Sequence, residues 1–109
     1  MLSEAIRKEI IDFLQPIDPE KVILFGSYAY GTPNADSDID LYIVTKENII
    51  PKTFEENFQI KKRVYQALDK FRKKYASDII VHTIPVHKKF LALESSFSKE
   101  IMQKGIILI

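Results

Sequence analysis

The sequence predicts a small layered α/β domain, and three observations carry that expectation. Short apolar runs rich in Val and Ile stand at 21–25, 38–45 and 78–84. Stretches with apolar residues every three or four positions flank and separate them. The chain has 109 residues, the length of one compact domain. The expected order is helix, strand, short helix, strand, helix, strand, helix, and the expected organisation is a single domain over 1–109.

Residues 3–14 place Ile6, Ile10, Phe13 and Leu14 at helical spacing, with Ser3 as N-cap and Glu4 in the first turn. Pro16 and Asp18-Pro19 end that helix in a turn. Lys21 to Phe25 reads as a buried strand. A short helix is expected from Ser27 to about Tyr30, then loop chemistry over Thr32-Pro33-Asn34-Ala35-Asp36. Residues 38–45 form the second strand. Thr53, with Glu56 three residues on and Pro51 just before, opens the clearest helix. Its apolar positions run from Phe54 to Tyr75, and its aromatic stripe is expected in the core. Asp78 to Ile84 is a third strand closed by Pro85. One or two short helices fill 86–104, and Gly105 breaks them. Ile106 to Ile109 is either a last strand or a docked tail.

The chemistry is concentrated between the first two strands, at Gly26-Ser27, Gly31 and Ser37-Asp38-Ile39-Asp40. Gly26 permits close backbone approach, and N–H groups at a helix start suit phosphate oxygens. Asp38 and Asp40 lie two apart, so a strand points both to one face. Paired carboxylates there can hold a divalent cation against phosphate. Magnesium takes oxygen ligands, keeps waters and binds one or two carboxylates plus substrate phosphate. Two such ions can serve the attacking and leaving oxygens together. Asp78, at the start of the third strand, could sit beside the start of the second strand as a further ligand or as general base. Taken singly, Gly-Ser is commonly a turn, Asp-x-Asp a strand edge, and Asp78 a turn residue; the combination is the signal.

Other residues read more simply. His82 shares a strand face with Asp78 but is expected to be structural, and His87 a surface loop residue. The runs Lys61-Lys62-Arg63 and Arg72-Lys73-Lys74 read as a solvated helix face, although one of them, or Lys46, could reach a triphosphate. Tyr28, Tyr30 and Tyr42 read as core or rim packing before base stacking.

Composition narrows the classes. Sixteen basic and fifteen acidic residues give a net charge of +1, so nucleic acid is not expected as the main partner. With no cysteine there is no disulfide framework or thiolate metal site. No apolar run approaches the ~18 residues of a membrane span, and the N-terminus lacks the apolar segment of a secretion signal. A cytoplasmic setting is expected.

At Gly26-Ser27, Gly31 and Ser37-Asp38-Ile39-Asp40-Leu41 the chain resembles the DNA polymerase beta-type nucleotidyltransferase superfamily, in particular its minimal nucleotidyltransferase (MNT) branch. The resemblance implies a mixed β-sheet flanked by helices, the polymerase beta-like fold. It implies that Asp38 and Asp40 bind magnesium and that Gly26 and Ser27, with Ser37 beside them, contact the nucleotide. Asp78 matches the family's third carboxylate by strand order. Such an enzyme moves a nucleoside monophosphate from a triphosphate, ATP being expected, to a hydroxyl. A second, acceptor-gripping domain is not expected within these 109 residues. The acceptor would then be a protein, or a partner subunit would complete the site; Ile106 to Ile109, if exposed, would favour a homo-oligomer or burial by a partner. Minimal members pair with helical HEPN proteins in toxin–antitoxin systems, which implies an antitoxin that modifies a partner's tyrosine with AMP. The competing reading is a non-catalytic module that neutralises a partner by binding. A transferase acting on small molecules is a third.

Overall fold

The computed structural model describes residues 2–109. Four strands form one mixed sheet in the order β3-β2-β1-β4, where β1 is Lys21–Phe25, β2 Ile39–Val44, β3 Ser77–His82 and β4 Ile106–Ile107. β1 runs antiparallel to β2 and to β4, and β2 runs parallel to β3. The parallel pair needs a crossover. Helices α3 (Phe54–Ala67) and α4 (Asp69–Lys74) provide it.

Alternation along the strands feeds two cores. Val22, Leu24, Leu41 and Ile43 bury against Ile10 and Leu14 of α1 (Glu4–Leu14) and against Val64, Leu68 and Phe71. Ile23, Phe25, Tyr42 and Val44 face the other way, onto Ile101 of α6 (Ser96–Lys104) and Phe90 of α5 (Ile84–Ala92). Fully burying one such aliphatic side chain stabilises by about 1.5–3 kcal/mol, and both faces of β1 and β2 are used.

The caps follow the sequence. The Ser3 hydroxyl accepts from the Ile6 N–H at 3.2 Å. Thr53 accepts from the Glu56 N–H at 3.1 Å, while the Glu56 carboxylate accepts from the Lys52 N–H at 3.0 Å, one residue earlier than a standard capping box reaches. The C-terminal apolar end is a strand extension: the Leu108 N–H donates to the Val22 carbonyl at 2.8 Å.

Four expectations need correction. The 53–75 helix is jogged at Leu68, whose φ of −97° and ψ of 8° leave the helical region while the Val64 and Arg72 hydrogen bonds continue through it. β3 ends at His82, because Pro85 lacks the N–H a strand would need and instead occupies the first turn of α5. His87 is no loop residue: it is buried on α5 and hydrogen-bonded to Tyr42. The aromatic stripe is core only from Val64 onward. Phe54 is 82% exposed and Phe58 46% exposed, stacked on each other where α3 overhangs the sheet.

Candidate functional site

The site is built where β1 ends and β2 begins. Gly26 leaves β1 at φ 75° and ψ −162°, a region tolerable only to glycine. Its carbonyl accepts from the Ala29 and Tyr30 N–H groups, each at 3.0 Å, starting helix α2 (Ser27–Tyr30). The Ser27 and Tyr28 N–H groups have no main-chain acceptor among the described residues, as at any helix start. Gly31, at φ 81°, closes α2 in the left-handed conformation.

The register then sets the carboxylates. Phe25 pairs with Asp40 across the antiparallel ladder, and Asp40 with Asp78 across the parallel one. The Asp40 carboxylate lies over Gly26 so closely that a Cβ there would run into it. Asp38 is two residues before Asp40, after a loop tied by its own side chains. Asn34 Oδ1 accepts from the Asp36 N–H at 2.8 Å, and the Ser37 hydroxyl accepts from the Asn34 N–H at 2.9 Å. Ser37 therefore shapes this loop.

Asp40 feels the charges of its two acidic neighbours. Burial, then the charge of Asp78, then that of Asp38, push the Asp40 carboxyl above its usual range. No basic side chain forms an ion pair with any of the three among the described residues. Unopposed carboxylates around a glycine turn suit a hard divalent cation. No three acidic or imidazole groups among the described residues are gathered closely enough to hold a metal ion between them.

Residues 8–109 match the protein family described as "Polymerase beta, Nucleotidyltransferase". The chain belongs to that family. It is a nucleotidyltransferase with the mixed sheet and flanking helices expected of one. It is 34% identical over 87 residues, 80% of this chain and 76% of the relative, to "Putative protein adenylyltransferase MJ0141" of Methanocaldococcus jannaschii. Among solved structures, its fold is similar to a crystal structure of a toxin–antitoxin with AMP-PNP, at 20% identity and TM-score 0.52. A mutant of the toxin–antitoxin MntA–HpeT aligns at 19% identity and TM-score 0.50; each alignment covers 94% of this chain and 72% of the other.

Within the nucleotidyltransferase, Lys46, Tyr42 and the two histidines are placed away from the turn. Lys46 follows the far end of β2 and pairs with Asp18 at 2.9 Å. Four strand residues at ~3.3 Å each, and Thr45 beyond the strand's end, separate it from Asp40. Tyr42 is fully buried; its hydroxyl bridges His82 Nδ1 at 2.9 Å and His87 Nδ1 at 2.7 Å, and its ring stacks on Phe90. These histidines are structural. Tyr30 was not singled out from Tyr28 by sequence, yet it lies behind the site. Its buried hydroxyl points toward the Gly26 main chain and Glu100, neither aligned closely enough for a hydrogen bond. No helix among the described residues is long and apolar enough to cross a membrane.

Proposed function

We propose that this nucleotidyltransferase moves AMP from ATP to a hydroxyl on a partner protein, as the antitoxin of a HEPN-type toxin–antitoxin pair in the cytoplasm, acting as one domain over 1–109. The observation that carries this reading is the register that sets Asp78 beside Asp40, with Gly26 beneath and no basic residue opposing them. The printed name of the archaeal relative supports AMP and a protein acceptor. The toxin–antitoxin fold relatives support the partner class.

The roles follow from placement. Gly26 leaves room for the triphosphate, and the Ser27 and Tyr28 N–H groups, with the Ser27 and Ser37 hydroxyls, orient its oxygens. Asp38, Asp40 and Asp78 would hold magnesium, which when bound would supply neutralisation of the phosphate charge. Asp78, on the outer strand, takes the acceptor's proton. The acceptor oxygen bonds the α-phosphorus, the bond from that phosphorus to its bridging oxygen breaks, and pyrophosphate leaves.

Incubation with α-labelled ATP, magnesium and a HEPN-type protein tests this. AMP transfer should fall at least about 100-fold in Asp38→Asn, Asp40→Asn or Asp78→Asn, the scale of losing one electrostatic stabiliser. Tight partner binding with no transfer in the unaltered chain would instead establish a module that acts by complex formation.

A further inference from the structure

The open side of β3 has a chemistry that the transfer reading leaves unused, and the inference drawn from it rests on that reading. β3 pairs with β2 and with no strand on its other side. The Ile39 N–H donates to the Ala76 carbonyl and the Thr45 N–H to the His82 carbonyl, each at 2.9 Å. In a parallel ladder this parity turns the main chain of the even-numbered residues toward β2 and that of Ile79 and Val81 toward the open side. Neither the Ile79 nor the Val81 N–H has a main-chain acceptor there among the described residues. The Tyr65 hydroxyl reaches the Ile79 carbonyl at a long 3.4 Å. An edge of this kind is a template for another strand.

The edge floors a groove of about 550 Å³. Its wall is the overhanging start of α3, with Phe54, Asn57 and Lys61, and Lys52 lies at its rim. Phe54 offers an apolar ring to water beside the unpaired strand. Lys52 and Lys61 form no ion pair among the described residues. Lys61 is near enough to His82 for its charge to oppose protonation of that ring. The groove begins at Ile79, one residue after Asp78. A strand laid there would run about 4.8 Å from β3 and carry its side chains past the Asp78 carboxylate.

We infer that the acceptor is an extended, acidic polypeptide segment that adds to β3 as a fifth strand, meets Lys52 and Lys61, and delivers its hydroxyl to Asp78. The bonds exchanged are those of the transfer step above, with the hydroxyl proton passing to Asp78.

The whole chain with a random Glu/Tyr copolymer tests this, against a Lys/Tyr copolymer as control. Amide exchange at Ile79 and Val81 reports strand addition, and label from α-labelled ATP reports transfer separately. The Glu/Tyr polymer should slow exchange at both amides about tenfold or more and accept label, and the Lys/Tyr polymer should do neither. The double change Lys52→Glu, Lys61→Glu should weaken Glu/Tyr binding about tenfold, from two exposed charge pairs reversed, with ATP binding unchanged by calorimetry. Equal protection by both polymers, or none by Glu/Tyr, overturns the proposal. So does protection that grows with protein concentration alone, because a second copy then holds the edge. Protection without label upholds the docking surface and counts against the transfer reading.

Discussion

Two residues, Asp40 and Gly26, decide what the turn can be. Asp40 is pushed toward protonation by burial and by Asp78 and Asp38, a tension that a bound cation would relieve. Asp40→Asn keeps the shape and removes the repulsion, so it should raise the melting temperature by about 2–5 °C while transfer collapses. Calorimetry in which that variant melts below the unaltered chain would contradict the convergence of the three acids. Gly26→Ala meets two obstacles, a positive φ and the Asp40 carboxylate in the space of its Cβ. It should cost about 1–3 kcal/mol in urea unfolding and abolish ATP binding. Unaltered stability would show that the turn relaxes without glycine. Gly26, Ser27, Asp38 and Asp40 were legible in the sequence because the chemistry needs those residue types at short spacing. Tyr30 was not, because its place behind Asp40 depends on where α6 returns.

At the scale of elements, Tyr42 joins β2 to β3 and α5 through its two histidines. Tyr42→Phe leaves both Nδ1 atoms without this partner and should cost about 1–3 kcal/mol, read as a lower urea midpoint. His82 and His87 are both held below the ordinary value of 6.5, chiefly by burial. The folded state keeps them neutral, whereas the unfolded chain takes up protons as pH falls below that value. Their contribution is therefore complete above about pH 6.5 and lost progressively below it. Asp40 runs the other way. Its raised carboxyl favours the fold at and below the unfolded value of 3.8, an advantage lost as pH rises through the folded value. Urea midpoints of Asp40→Asn from pH 7.5 to 5.5 isolate the histidines. A midpoint level down to about pH 6.5 and falling below it is expected, and a profile flat throughout would remove this role. Helices and strands were readable from period and caps. The jog at Leu68 and the exposure of Phe54 and Phe58 were not, because spacing reports a helix face and not how far the sheet extends beneath it.

Across the whole molecule, one register unites the site. The crossover through α3 and α4 returns β3 parallel to β2, so Asp78 arrives opposite Asp40 from 38 residues away. Strand order suggested that meeting in the sequence, but the residue-by-residue match required the fold. The same topology leaves β3 outermost, so the side nearest Asp78 is also the one open to a partner. A crystal structure of the chain with AMP-PNP and manganese, a magnesium substitute with an anomalous signal, tests the site most directly. Anomalous peaks are expected between Asp38, Asp40 and Asp78, with phosphates over Gly26 and Ser27. Nucleotide bound elsewhere, or manganese absent from those carboxylates, would contradict it.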